Sequence, residues 1–235
     1  MSLSIQRQHV RQLVDDANPT DAPTAYYALF HDPARSALFT SVNSSGAAQG
    51  FVGRFQTGQD LFRPLVTMRC KTPEVAHELL QQALMPGRPY IFFVNINQLP
   101  IVGDSLKLDN QKIFSIYRLD VTRFNPIMNV LVQRKKAANG TPRSEIVAGN
   151  GQVVSVAGVN WQSPGFAEIY VNTDPAARER GYGKSVVAAL IEQILREGRL
   201  PLYLVETRND PSRELAEGLG FVDTGSRQVY ADAVF

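Results

Sequence analysis

The stretch from Ala167 to Gly183, together with the segment that follows it, most constrains the fold of this chain. Alternating apolar residues predict a strand that ends at Pro175. A loop with two glycines comes next, and Lys184 then opens a segment whose apolar residues repeat at helical spacing as far as Gly198. Main-chain amides freed by glycine and the N-terminus of a helix both attract negative charge. The sequence therefore predicts a site for a phosphate or diphosphate.

Several phosphate-binding patterns can be compared with this glycine loop, defined here as residues 178–183. A P-loop needs a glycine where Arg178 stands, and the spacing of the glycines excludes the dinucleotide pattern GxGxxG. The pattern [Q/R]xxGx[G/A] fits, since the six residues read RERGYG. On the loop alone, an ordinary glycine-rich turn between a strand and a helix remains an alternative.

A second motif lies one predicted helix and one predicted strand further along the chain. Asn209 follows that strand and precedes a short helix that leads into Leu219-Gly220-Phe221. Together the two motifs resemble the GNAT superfamily of N-acetyltransferases, and the resemblance covers residues 123–235. It implies an α/β (α+β) fold in which a mixed, mostly antiparallel sheet is flanked by helices. It also implies that the fourth and fifth strands splay apart to admit acetyl-CoA.

The two halves of the chain share an order of elements. In each half a helix ends in Gly-Arg, at Gly87 and at Gly198, and leads into an apolar strand headed by proline. We predict two GNAT-like domains, 1–120 without the phosphate loop and 121–235 with it, a tandem plan similar to that of glycine N-acyltransferase-type members. The alternative is a coincidence between two ordinary αβ units.

The resemblance assigns cofactor-binding residues one by one. Main-chain groups of the predicted strand would line the pantetheine arm, and the glycine loop with Lys184 would hold the diphosphate. Asn209 would meet the end of the pantetheine. The strand residues are Ile169, Val171 and Thr173, and the loop residues are Arg178, Arg180, Gly181, Tyr182, Gly183 and Lys184.

Two carboxylates are candidates for the general base. Glu168 lies on the strand before the loop and Glu206 at the end of the next strand, where partial burial would raise the pKa toward neutrality. A glutamate on a strand is more often solvent-facing or salt-bridged. Where many members of the superfamily carry a tyrosine as general acid, this chain has Ala216. Water or another hydroxyl, such as that of Ser212, would then take that role, or the thiolate would leave unassisted.

The reaction that follows is acetyl-CoA-dependent N-acetylation of a small amine or amino-acid-like acceptor. The missing tyrosine leaves a second hypothesis open, a non-catalytic acyl-CoA-binding sensor or interaction module. A third, a nucleotide-binding αβ domain, would need carboxylates to hold magnesium opposite the loop, and the sequence shows no convincing set.

Composition narrows the remaining possibilities. The net charge is only +2, with both signs mixed along the chain, which argues against a nucleic-acid partner. Cys70 is the single cysteine, so a reducing compartment and a cytoplasmic location are expected. The three histidines lack partners at ligand spacing, so no metal site is expected. No apolar run is long enough to span a bilayer, and we expect a monomer or homodimer.

Three local predictions concern element ends. The apolar stripe predicts a first helix over residues 4–17. Asp210, with Pro211 after it, is predicted to cap the short helix near the C-terminus. Two separate strands, 221–224 and 228–234, are predicted to close the chain.

Overall fold

The computed structural model describes residues 1–58 and 60–235. By its internal contacts the chain forms two compact units. Unit 1 comprises Met1–Phe114 and Ser226–Phe235, and unit 2 comprises Ser115–Gly225. This division differs from the predicted 1–120 and 121–235, because the last strand contributes its C-terminal part to unit 1.

Unit 1 is built on a mixed sheet with helices packed against it. Its strands follow the order β1-β2-β3-β4-β11 across the sheet, and β3 and β4 form the parallel pair. The helices are α1 (Leu3–Val10), α2 (Ala22–Ala25), α3 (Pro73–Ala83) and α4 (Leu99–Val102). The strands are β1 (Ser36–Val42), β2 (Ala48–Phe55), β3 (Leu65–Cys70) and β4 (Pro89–Asn95). Two further strands, β5 (Lys107–Leu119) and β11 (Phe221–Val234), contribute residues to both units.

Unit 2 has the same kind of sheet. Its strands follow the order β5-β10-β9-β8-β7-β6, in which β9 and β10 are parallel and the pairs from β6 to β9 are antiparallel. Its strands are β6 (Val132–Lys136), β7 (Pro142–Val147), β8 (Val153–Gln162), β9 (Phe166–Thr173) and β10 (Leu200–Glu206), and its helices are α5 (Tyr182–Arg196) and α6 (Asp210–Glu217). The predicted mixed, mostly antiparallel sheet with flanking helices is therefore confirmed.

The core of unit 2 explains why α5 lies where it does. Its apolar stripe, which includes Val187, Leu190 and Ile194, is fully buried against Ile146 of β7 and Ile169 of β9. Burying aliphatic side chains of this size contributes roughly 1.5–3 kcal/mol each. The packing fixes the N-terminus of α5 at the end of β9, where the glycine loop joins them.

Both units contain a parallel strand pair joined by a helix. In unit 1, β3 and β4 pair at only two positions, Leu65 with Ile91 and Val66 with Phe92, before they separate. The helix α3 between them begins directly after Thr72, whose hydroxyl accepts a hydrogen bond from the Val75 amide. The predicted recurrence of strand, helix and strand is therefore present in the structure.

Three element predictions were wrong at their ends. The first helix stops at Val10, because beyond it the carboxylates of Asp15 and Asp21 accept hydrogen bonds from the main-chain amides of Ala17 and Asp15, respectively. The last two predicted strands are the single strand β11, in which Gly225 adopts a φ of 78°. The cap of α6 is the residue before Asp210, described with the site below.

Candidate active site

The glycine loop presents unpaired main-chain donors at the start of α5. Glu179 and Gly181 adopt positive φ values of 62° and 72°, which turn the chain into the helix. Gly181 is the N-cap residue and provides no side chain to cap the helix. Within the part of the chain that the structure describes, the amides of residues 180–184 donate to no protein acceptor. Such amides at a helix N-terminus bind anions.

Unit 1 provides an internal comparison for this helix start. The helix α3 follows β3 without a glycine loop, and the Thr72 hydroxyl satisfies one of its first amides. In α5 the corresponding position is Gly181, so the orphan donors remain available to an external group. Of these two helix starts, α5 is therefore the one without a side-chain cap, and its first amides are available to the predicted phosphate.

The charged residues of the loop lie around this helix end. Arg178 is exposed, and its Nε donates to the carbonyl of Thr173 at 3.4 Å. Lys184 Nζ lies 3.6 Å from the place that a Cβ on Gly218 would occupy, which puts the ammonium beside the C-terminal end of α6. Both cations therefore flank the loop, on the β9 side and on the α6 side.

Gly183 is required by a close approach. A Cβ at this position would lie 3.1 Å from Thr173 Oγ1 and 3.4 Å from a methyl of Leu215. Thr173 Oγ1 is itself hydrogen-bonded to Ser155 Oγ at 2.9 Å, so it has little room to shift. The second glycine of the motif therefore lets the first turn of α5 pack directly on the end of β9.

A gap opens between the two parallel strands next to the loop. Their pairing runs from Phe166 with Leu200 to Ile169 with Tyr203 and then stops, although both strands continue. We call the space beyond the last pair the strand gap. It agrees with the splay that the resemblance predicted, and the predicted pantetheine-lining positions Val171 and Thr173 lie on its β9 side.

Glu168 lies at the mouth of the strand gap. Its carboxyl accepts hydrogen bonds from the main-chain amide of Leu204 and from the side chain of Asn160. Leu204 is the first residue of β10 beyond the last pair with β9, and its amide donates to Glu168. The residue is only 5% exposed. Burial raises the pKa of Glu168 to about 8, although the two hydrogen bonds oppose the shift.

A β-bulge positions Asn160. The register of β8 against β9 shifts between Val159 and Trp161, which face Ile169 and Glu168, so Asn160 is the extra residue. Asn160 is exposed while its side chain reaches the buried carboxyl. It therefore holds the Glu168 carboxyl from the β8 side. A bulge is defined by how two strands pair, and the apolar pattern of one strand does not reveal it. Asn160 was therefore not among the predicted site residues.

The second candidate base lies further along β10. Glu206 is half-buried at the end of the strand, and its carbonyl accepts a hydrogen bond from the Asn209 amide at 2.8 Å. It stands two residues beyond Leu204, on the open side of the strand gap. Glu168 has the contacts that bridge the two strands.

Asn209 caps α6. Its Oδ1 accepts a hydrogen bond from the Ser212 amide at 3.2 Å, so Asn209 rather than Asp210 is the N-cap. Asp210 instead lies in the first turn, where its charge favours the helix dipole. The predicted contact of Asn209 with pantetheine stays a prediction, with the side-chain oxygen already committed to the cap.

Two hydroxyls are candidates for the proton donor that Ala216 cannot be. Ala216 is fully buried in the core of unit 2. Tyr203, at the last pair before the strand gap, is hydrogen-bonded to Ser212 in the first turn of α6. Burial, with Glu168 nearby, raises the pKa of Tyr203, so its hydroxyl keeps its proton at neutral pH. Sequence analysis named Ser212 but missed Tyr203.

A cavity of about 400 Å³ lies on the other side of the glycine loop. It is lined by Arg180 and Tyr182 of the loop and by the turn between β7 and β8, including Gly149 and Asn150. It contains no residue of β10 or α6, so it is separate from the strand gap. The loop thus has an open space on the side of the β7–β8 turn as well.

Residues 1–58 and 60–235 hold no group of three or more His, Cys, Asp or Glu side chains placed to bind a metal ion. Within the same residues, no helix combines the length and the apolar character needed to cross a bilayer.

Part of the sequence matches a known protein family. Residues 148–230, about a third of the chain, match the family described as FR47-like protein. No curated protein matches the sequence.

Solved structures match over nearly the whole chain. A GCN5-related N-acetyltransferase-like protein from Streptococcus suis is 17% identical with a TM-score of 0.62, covering 98% of this chain and 100% of its own. A Drosophila protein is 11% identical with a TM-score of 0.71, and the match covers 98% of this chain and 96% of that protein. A tandem GNAT protein from the clavulanic acid biosynthesis pathway is 13% identical with a TM-score of 0.61 (99% and 93%). At these identities the likeness establishes a common fold, and it supports the predicted resemblance to the GNAT superfamily at that level.

Proposed function

We propose that unit 2 is an acetyl-CoA-dependent N-acetyltransferase that acts on a small amine or amino-acid-like acceptor. The observation that carries the proposal is one juxtaposition. Unpaired amides at the start of α5 lie at the end of β9, and a buried carboxyl with a pKa of about 8 lies on the same strand, at the mouth of the strand gap. Two of the similar structures are an N-acetyltransferase-like protein and a tandem GNAT protein, and acyl transfer by this chain would agree with both.

The residues present fit coenzyme A. The amides of residues 180–184, with Arg178 and Lys184 beside them, would hold the diphosphate. The unpaired parts of β9 and β10, including Val171, would flank the pantetheine arm. Acetyl-CoA, when bound, supplies an acetyl group that its thioester has already activated.

Glu168 would take the proton from the acceptor. A general base works best when its pKa lies near the working pH, and the pKa of about 8 meets that condition. At pH 7 about a tenth of the carboxyl is ionised, and the fraction rises to half at pH 8. The Leu204 amide and the Asn160 side chain hold the carboxylate in place by hydrogen bonds from β10 and from β8.

Tyr203 and Ser212 would supply the proton that the leaving group needs. Their hydroxyls are hydrogen-bonded to each other, and Ser212 sits at the N-terminal turn of α6 beside the strand gap. The Ser212 hydroxyl would give its proton to the departing thiolate and take the proton of Tyr203 in return, and the tyrosinate would be reprotonated from solvent before the next turnover. The pair thereby fills the role that Ala216 leaves empty.

A non-catalytic acyl-CoA-binding module is the second candidate. It is favoured by one observation, the buried alanine at position 216. One experiment distinguishes the two candidates. Pure protein is incubated with acetyl-CoA and a panel of amines, and the release of the free thiol of coenzyme A is measured. Release that depends on an amine and is lost in Glu168→Gln supports the enzyme. Tight binding of coenzyme A without release for any amine supports the binding module.

Unit 1 is proposed to be a degenerate relative of unit 2. Both have the parallel strand pair with its connecting helix, but Thr72 caps the helix of unit 1. Coenzyme A should therefore bind one site per chain, which titration calorimetry measures directly. A second site of similar affinity would contradict the assignment of the cofactor to unit 2 alone.

A further inference from the structure

The sheet of unit 1 has a second face, on the side away from α3. Val66, Met68 and Cys70 of β3 pack in the core that contains α3. Side chains alternate along a strand, so Thr67 and Arg69 lie on the other face. Both belong to the part of β3 beyond its last pair with β4, where the two strands have separated.

The helix α2 covers this face and runs along β3. Its cap residue Asp21 forms an ion pair with Arg69 at 2.5 Å. Further along the chain, the ring of Tyr27 contacts Phe55 of β2 and Phe93 of β4, with centroid distances of 5.7 and 6.2 Å. Since β2 and β4 flank β3 and Phe55 is paired with the first residue of β3, Tyr27 lies above the start of that strand.

Thr24 therefore faces β3 from the helix. It is three residues from both Asp21 and Tyr27, and residues at this spacing share one face of a helix. Asp21 marks the Arg69 end of the covered stretch and Tyr27 marks the opposite end, so Thr24 lies over Thr67. Thr24 is 1% exposed and Thr67 is 0% exposed, which makes both hydroxyls inaccessible to bulk solvent.

Three buried polar groups in this region have no hydrogen-bond partner. They are the Thr24 hydroxyl, the Thr67 hydroxyl and the Nε–H of Arg69, and none of them is bonded to another or to any other residue that the structure describes. Buried polar groups in native proteins almost always have a partner, so three orphaned groups together indicate an external one. We call these three groups the polar site of unit 1.

The surroundings of the polar site also indicate a functional role. The helix α2 continues directly into a π-helical turn, Tyr26–Phe30. Such turns are rare, and they are found frequently at functional sites. The Arg69 side chain remains 24% exposed where it meets Asp21. The polar site is therefore closest to solvent at this end of α2.

The three groups restrict the chemistry of a ligand. Asp21 neutralises the Arg69 guanidinium, so a neutral ligand is favoured in this buried site. The Nε–H can only donate and needs an acceptor oxygen, whereas a threonine hydroxyl can also accept. The oxygen and nitrogen of an amide are about 2.2 Å apart, so with a hydrogen bond of about 2.9 Å at each end an amide spans about 8 Å. This agrees with the spacing of about 7 Å between Thr67 and Arg69 on one face of β3, whereas a single water spans about 6 Å.

We propose that the polar site of unit 1 binds a small neutral secondary amide. The amide oxygen accepts hydrogen bonds from Arg69 Nε and from the Thr24 hydroxyl, and the amide N–H donates to the Thr67 hydroxyl. The site lies in the unit without the glycine loop, so it is independent of the acetyltransferase activity proposed for unit 2.

The test uses N-methylacetamide as the probe and methyl acetate, the ester of the same shape without an N–H, as the control ligand. Binding to the full-length protein is followed by NMR through the Nε–H resonance of Arg69 and the methyl resonances of Thr24 and Thr67. N-methylacetamide should shift all three saturably. Methyl acetate should bind about tenfold more weakly or worse, because the Thr67 hydroxyl then has no donor to accept from.

Replacing the two threonines by valine removes the hydroxyls and keeps the shape of the side chains. Each hydroxyl has no protein partner, so Thr24→Val and Thr67→Val should have urea midpoints no lower than that of the wild type. The double variant should bind N-methylacetamide about tenfold more weakly or worse, as read from Arg69 Nε–H. Thr40→Val is the matched control, because the Thr40 hydroxyl is hydrogen-bonded to His9 at 3.1 Å. It should lower the midpoint and leave the affinity unchanged.

Several results overturn the inference. They are a response to N-methylacetamide that does not saturate, equal affinity for the amide and the ester, and an affinity that survives in the double variant. Nuclear Overhauser contacts from water to the Thr67 methyl that N-methylacetamide does not displace show a hydration site only, and they overturn it as well. None of these measurements involves acetyl-CoA, so neither outcome alters the case for the proposed function.

Discussion

Replacing Glu168 by glutamine tests the protonation state on which the proposed chemistry depends. The ordinary pKa of a glutamate is 4.5, and burial raises that of Glu168 to about 8. Below pH 4.5 the carboxyl is protonated in both the folded and the unfolded chain, so its ionisation has no effect on stability. As the pH rises, the unfolded chain ionises first, and the free energy of unfolding falls until the folded carboxyl also ionises near pH 8.

The size of this effect follows from the shift. Each unit of pKa difference corresponds to about 1.4 kcal/mol, so the full cost above pH 8 is roughly 5 kcal/mol. About 2 kcal/mol of it develops between pH 6 and pH 8. Glutamine cannot ionise, and it retains an oxygen for the Leu204 amide. The advantage of Glu168→Gln over the wild type in free energy of unfolding should therefore grow by about 2 kcal/mol over that interval.

The chain offers a specific probe for this measurement. Trp161, the only tryptophan, lies in β8 opposite Glu168, so its fluorescence during urea unfolding reports on unit 2. Glu145→Gln is the matched control, because Lys135 and Arg143 hold the pKa of Glu145 below its usual value. The stability that Glu145 contributes is lost only as the pH falls below about 4.5, so this control should show a constant difference from pH 6 to pH 8.

A flat difference between Glu168→Gln and the wild type over the same interval would refute the reasoning. It would mean that the folded carboxyl ionises near its ordinary pKa, and that the burial and hydrogen bonds around it do not keep the proton on. The role of Glu168 as a base poised near neutrality would then have to be abandoned, even if the variant were inactive for another reason.

Three further predictions concern the reaction and the cofactor. Glu168→Gln should lower kcat/KM by about 10²–10⁴ and remove the rise of the rate around pH 8, whereas Glu206→Gln should change it only a few-fold; a larger loss at Glu206 would exchange their roles. Gly181→Ala forces a side chain into a φ of 72°, which should weaken coenzyme A binding about fivefold or more by calorimetry, and unchanged affinity would contradict the loop assignment. Tyr203→Phe should lower kcat about tenfold or more with little change in KM, and an unaffected kcat would leave water as the proton donor.

Local chemistry made much of the site predictable. Gly181 adopts a positive φ, and Gly183 allows the helix to approach β9 closely. Both glycines lie within six consecutive residues, so the sequence alone could reveal the motif. The strand before the loop and the helix after it follow from apolar periods of two and 3.6. Glu168 could be named as a candidate because it lies inside that predicted strand.

Features that depend on the register between strands could not be predicted. The Asn160 bulge exists because β8 has one more residue than β9 over the same length. Arg143 of β7 is hydrogen-bonded to Tyr170 of β9 across β8, because the residue aligned between them is Gly158, which has no side chain. These contacts join residues far apart in the chain, and no periodicity within one segment records them.

Competition between neighbouring groups explains the remaining errors. Asn209 and Asp210 are both good caps, and the structure uses the first. Gly225 and Ser226 resemble a turn, but the positive φ of Gly225 is accommodated within β11, whose later residues pair with β4. That pairing takes the end of the chain into unit 1 and shifts the boundary from its predicted place.

In each unit, a main-chain amide near the end of a parallel strand pair donates to a buried side chain. The two side chains differ, and the difference argues for proton chemistry in unit 2. Where β3 and β4 have separated, the Cys70 amide donates to the neutral side chain of Gln98. Where β9 and β10 separate, the Leu204 amide donates to Glu168. Both acceptors are buried, but the glutamate costs about 3 kcal/mol of stability at pH 7, and a neutral amide costs none of this. A buried carboxyl that costs this much stability is explained by its ability to take up a proton.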